Sequence, residues 1–143
     1  MPFRICLKTC AFLLILAAMI GWSDRSRPAF ASGVPLLTVS GKVAGSTAID
    51  LNRDELESLA SETLKTSTPW TQGVQEFKGI PLKDLLDLVG AKGSELRAIA
   101  LNDYAADVPI DDSVAAGAII AVRQNGRPMS IRDKGPLWIV FPY

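Results

Sequence analysis

Beyond residue 32 the chain contains no cysteine and no histidine: Cys6 and Cys10 lie near the start, and histidine is absent throughout. A domain built from residues 32–143 therefore has no disulfide framework, and it offers neither thiolate nor imidazole to a metal. It must fold on its apolar core alone, a demanding condition for so small a unit. Imidazole is also the side chain that most often moves protons near neutral pH, so hydrolytic and redox chemistry loses its usual agent here.

The first 31 residues read as an export signal and are set apart from the fold. Arg4 and Lys8 precede an apolar run from Ala11 to Trp22, twelve residues long, whereas crossing a bilayer takes about 20. A polar stretch follows, and Ala29-Phe30-Ala31 before Ser32 gives the small-x-small pattern of a cleavage site after Ala31. The charges at Asp24, Arg25 and Arg27 between the apolar run and Ala31 leave an uncleaved anchor as the alternative. Neither cysteine follows the apolar run, where a lipid-modified cysteine would stand. The expectation is an exported, periplasmic domain of residues 32–143 with no membrane contact once the signal is removed. From Ser32 onward eleven Lys and Arg face fourteen Asp and Glu, a net charge of −3. There is no basic cluster of the kind nucleic acid requires, which excludes that partner.

Patterning then predicts a mixed α+β domain. Leu36–Val43 reads as a first strand, and Ala44–Leu51 as a loop or second short strand. Asn52 with Glu55 three residues on forms a capping box, and Leu56, Leu59, Ala60 and Leu64 continue at helical spacing. Thr66–Trp70, interrupted by Pro69, reads as an edge or loop segment. A second helix is expected from Pro81, with Leu82, Leu85, Leu86 and Val89 as its apolar stripe and Gly90 as its terminator. Leu96–Leu101, Ala118–Val122 and Leu137–Phe141 read as buried apolar strands, with Asn125-Gly126 as a tight hairpin turn. Asp111-Asp112-Ser113 suits a helix cap better than a metal site, since hard cations usually take six or more oxygens. The chain stops directly after an apolar strand, as a domain cut short at its C-terminus also would.

Three stretches, in order and spacing, carry a resemblance: TSTPWTQGVQEFKGIPLKDLLDLVGA from Thr66 to Ala91, ALNDYAADVPIDD from Ala100 to Asp112, and NGRPMSIRDKGPLWIVFPY from Asn125 to Tyr143. Together they resemble the molybdopterin-binding domain of the sulfite oxidase and methionine sulfoxide reductase catalytic-subunit superfamily, over most of residues 36–143. Phe77-x-Gly79-Ile80-Pro81-Leu82 is the most diagnostic element, with Gly126-x-Pro128-Met129 and Gly135-Pro136-Leu137. Read physically, Gly79-Ile80-Pro81 turns the chain into the helix, Gly126-Arg127-Pro128 closes a hairpin, and Gly135-Pro136 aims the last strand. All three are scaffold, and argue for fold rather than chemistry.

The resemblance implies a sulfite-oxidase-type fold, a mixed β-sheet with two main helices, in a short exported stand-alone form. In catalytic members a cysteine thiolate before the aromatic-x-Gly element holds molybdenum, and histidine often stands near the cofactor. Here Thr66, Ser67 or Thr68 occupies the cysteine's place, and a hydroxyl stays protonated at neutral pH where a soft anion is wanted. No catalytic residue and no metal ligand are assigned. No cofactor is expected, molybdopterin being retained by resemblance alone.

Candidate ligand contacts remain. Asn102 and Asp103 could hydrogen-bond a ligand and Tyr104 cover it, the plainer reading being a turn that satisfies its own backbone. Trp70 could wall the same pocket, the plainer reading being core. Arg132, with Arg127 and Lys134, could receive a phosphate, or sit on a solvated hairpin face. The expected role is binding of a small molecule or a periplasmic protein. The alternatives are an oxidoreductase with an atypical cofactor site and an accessory subunit of a periplasmic redox or signalling system.

Overall fold

In the computed structural model, residues 33–45 and 48–143 are described; the export signal read at residues 1–31 lies outside them. β1 (Leu37–Val39) and β2 (Ile49–Leu51) form a short antiparallel pair. α1 (Arg53–Leu59) begins at the expected cap: the Glu55 N–H donates to Asn52 Oδ1 at 3.0 Å, and the Asn52 N–H donates to Glu55 Oε2 at 2.7 Å.

The helix ends earlier than its leucine spacing predicts. Leu64 belongs to β3 (Glu62–Thr66), which pairs antiparallel with β4 (Gln75–Pro81) and sets Leu64 opposite Phe77. Leu56, Leu59, Ala60 and Leu64 fit a helical stripe, but only strand pairing gives the backbone at 62–66 its partners and Leu64 its neighbour.

Gly79-Ile80-Pro81 is likewise strand rather than turn. It ends β4, and Pro81 stands at the N-cap of α2 (Leu82–Leu88). Gly79 is required there: a Cβ would meet the Ile120 carbonyl oxygen at 2.3 Å and the Ala121 Cα at 2.8 Å, beside an irregularity in the β4–β7 register. α2 terminates as expected at Gly90, with φ +60°, and the Ala91 N–H reaches back to the Leu86 carbonyl at 2.9 Å.

β7 (Ile119–Gln124) is the centre of the sheet. It pairs on one side with β4, and on the other with β9 (Trp138–Val140) at its start and β8 (Arg127–Pro128) at its end. Asn125 and Gly126 close the β7–β8 hairpin at φ 50° and 75°, as their pairing in the sequence predicts. Both sheet faces are covered, which is why Ala118–Val122 is apolar without alternation. Ile80, Ile120 and Val122 pack with Leu51, Leu56, Leu82, Leu85 and Leu86 in one cluster. Phe77, Ile119, Ala121, Met129 and Val140 form the other, with Leu64 and Trp138 against it. Burying each Leu or Ile side chain contributes about 1.5–3 kcal/mol before the entropy of ordering it.

Two further differences concern the remaining segments. β5 (Glu95–Ile99) is not buried: with β6 (Ala105–Pro109) it forms a separate ribbon whose residues alternate in exposure, only Leu96 joining the main core. After β6 comes a third helix, α3 (Ile110–Ala115), where two main helices are expected. Asp111 and Asp112 lie inside its first turn rather than at the cap, where negative charge meets the positive end of the helix. The fold is α+β, and every strand pairing among the described residues is antiparallel. No helix among the described residues is long and apolar enough to cross a membrane.

Candidate functional site

The loop after β3 crosses from the sheet's edge to β9. Thr66 is 2% exposed, and its hydroxyl accepts the Tyr143 N–H at 2.9 Å while donating to the Ser67 carbonyl at 3.2 Å. Thr68 is also buried, and its hydroxyl accepts the Trp70 N–H at 3.3 Å and contacts Thr71 Oγ1 at 3.2 Å. Thr71 fastens the turn, accepting the Thr68 N–H at 2.9 Å. The hydroxyls at Thr66 and Thr68 are thus engaged within the protein itself.

This turn presents Trp70 sideways to the sheet. Its ring is edge-on to Trp138 at 6.2 Å, and Trp138 is edge-on to Phe77 at 5.5 Å, a chain of contacts running from the surface to the buried cluster. Such pairs add about 0.5–1.5 kcal/mol beyond area burial. Trp70 itself is 65% exposed, so the expectation that it sits in the core is corrected. The Lys134 ammonium stands 5.7 Å from the Trp70 ring centroid. Thr68, Trp70, Tyr143 and the stretch from Trp138 to Phe141, which is β9 and the residue after it, line a solvent-open cavity of about 180 Å³.

Of the five expected contact residues, Trp70 alone lines this cavity. Arg132 lies exposed in the 3₁₀ turn Ile131–Asp133 just before Lys134. Asn102, Asp103 and Tyr104 form the tip of the β5–β6 ribbon. There the Tyr104 N–H donates to Asn102 Oδ1 at 3.3 Å and the Asp103 N–H to the Ala100 carbonyl at 3.0 Å. Asp103 has φ 61°, the left-handed conformation Asp tolerates in turns. The cavity is not lined by these three residues.

A larger groove of about 340 Å³ lies between α2 and α3, and the tip residues do not line that one either. At its rim Lys83 is hydrogen-bonded to Asp87, whose bond and charge hold the ammonium above its ordinary range. Arg123 donates to Glu57 at 2.7 Å, which raises the guanidinium in the same way and ties β7 to α1. Arg132 and Lys134, by contrast, form no ion pair with a described residue.

Tyr143 and the cavity role of Trp138 escaped the sequence reading. Trp138 looks like an ordinary core residue mid-strand. A Tyr after Pro142 carries no local signal for a contact made across 77 positions to Thr66.

The chain belongs to the oxidoreductase molybdopterin binding domain family, whose model matches residues 36–143. No curated protein sequence matches it. The family's cofactor places a demand that the donor chemistry here does not meet. Residues 33–143 contain no sulfur ligand of the cysteine kind and no imidazole, and the described residues hold no group of three or more His, Cys, Asp or Glu able to grip a metal. The side chains at 66–68 are hydroxyls, two of them already bonded internally. The residues present do not fit a thiolate-held molybdenum.

Proposed function

We propose that the chain is an exported member of this family that binds a small molecule without a thiolate-held metal and performs no redox turnover by itself. One observation carries the reading: where the resemblance sets the metal ligand, the hydroxyls of Thr66 and Thr68 are spent on holding Tyr143 and the Trp70 turn in place. A loop that elsewhere would present a soft anion here builds the wall of a cavity. The molybdopterin-dependent alternative requires a metal ligand other than thiolate, and the cavity walls offer a hydroxyl and aromatic rings instead. Export rests on the basic, apolar and small-residue pattern of residues 1–31.

A second reading, an accessory protein docking on a periplasmic partner, is favoured by the β5–β6 ribbon. Ile99, Leu101 and Tyr104 are 68%, 73% and 69% exposed around one turn, and clustered exposed apolar groups mark contact surfaces.

The test is made on protein recovered from the extracytoplasmic fraction. Intact mass is expected to give a chain beginning at Ser32, and assays with sulfite or methionine sulfoxide and redox dyes are expected to give no turnover above buffer. Turnover that follows the purified chain would overturn the non-catalytic reading. Protein found only in the cytoplasm, unprocessed, would overturn export.

A further inference from the structure

The cavity beneath Trp70 has a size, a lining and a neighbouring charge, and each constrains what it can hold. It measures about 180 Å³ and is open to solvent on one side. It falls short of the roughly 300–1,000 Å³ of pockets that take drug-sized ligands. The guest is therefore about one ring. The lining residues are Trp70, Trp138, Ile139, Val140, Phe141 and Tyr143, with Thr68 adding a hydroxyl residue; Ile139 and Phe141 also pack into the core cluster on the other face of the sheet. Such a surface favours an aromatic guest over a purely polar one. A cation stands beside the Trp70 wall: Lys134 Nζ lies 5.7 Å from the ring centroid, and neither it nor neighbouring Arg132 pairs with a carboxylate among the described residues. The nearby acid, Asp133, accepts instead from the Ser130 hydroxyl at 2.7 Å.

We propose that this cavity binds a single aromatic ring bearing an anionic group, an aryl carboxylate or its equivalent, with the ring against Trp70 and Trp138 and the anion facing Lys134. The assignment rests on the binding role proposed above and specifies its ligand class. Charge complementarity selects the anion, and the cavity volume limits the body to one ring.

Both tryptophans left after cleavage at Ala31, Trp70 and Trp138, line this cavity, so intrinsic fluorescence of the processed protein reports on it alone. Titration with benzoate is expected to change that fluorescence saturably, with a midpoint in the low millimolar range or tighter. Benzyl alcohol, which has the ring without the charge, and acetate, which has the charge without the ring, are expected to bind at least tenfold more weakly. Lys134→Met is expected to weaken benzoate about tenfold, and Lys134→Arg to restore it to within about threefold. Trp70→Ala is expected to abolish binding while lowering the melting temperature by only several degrees, the loss of its edge contact with Trp138, because Trp70 is mostly exposed. Protein-observed NMR provides a second readout that does not depend on Trp70. Absence of saturable benzoate binding, equal binding of benzyl alcohol or acetate, or indifference to Lys134→Met would overturn the ligand class. Bound molybdenum would instead overturn the reading on which it rests, so the two failures are distinguishable.

Discussion

At the scale of single residues, Gly79 shows how a motif shared with a family can be pure packing. Its missing Cβ lets the β4 and β7 backbones approach, with the Ile120 carbonyl oxygen only 2.3 Å from where that atom would sit. Backbone cannot move aside as a flexible side chain can, so Gly79→Ala is expected to cost about 3 kcal/mol or more in urea unfolding. A loss below about 1 kcal/mol would show that the sheet relaxes there. Asp103 is the converse case: its φ of 61° is a conformation glycine adopts freely. Asp103→Gly is therefore expected to be neutral to slightly stabilising, by up to about 1 kcal/mol, and a marked loss would mean that the carboxylate is structural. Residue-level legibility in the sequence followed the same division. Asn125-Gly126 was readable because the positive φ both residues need is a local property. The exposure of Trp70 was not, because it depends on a turn stitched by Thr68 and Thr71.

At the scale of elements, α1 depends on its first turn. Asn52→Ala removes the acceptor for the Glu55 N–H, and is expected to lower unfolding stability by about 1 kcal/mol. No change would mean that packing of Leu56 alone fixes the helix start. This cap was legible because its partners are three residues apart. The end of the helix was not, since Leu64 fits a helical stripe and a strand equally well, and its choice is made by Phe77 on β4. The β5 segment misled for a related reason. An apolar run such as LRAIAL reads as buried, yet whether a strand joins the main sheet or a separate ribbon is decided by partners distant in sequence. Helix α3 is six residues long and follows Pro109 directly, too short to establish a periodicity.

At the scale of the whole molecule, the fold is a five-stranded sheet covered on both faces, joined by the β1–β2 pair and the β5–β6 ribbon, with no disulfide possible among residues 33–143. Its stability is that of its core. Ile80→Asp and Leu86→Asp are each expected to prevent cooperative folding by burying an unpaired charge, and a cooperative melt near the parent temperature would show the core assignment to be mistaken. The same absence of cysteine and histidine that leaves the fold to its core also leaves residues 33–143 without a thiolate or imidazole for a metal, and the Thr66 and Thr68 hydroxyls are committed to structure, which is the premise of the proposed non-catalytic role. The most direct test is therefore the molybdenum and pterin content, per chain, of processed protein purified from its native compartment. Values far below one per chain are expected; one molybdenum and one pterin per chain, co-eluting with the protein and with redox turnover, would contradict the central claim.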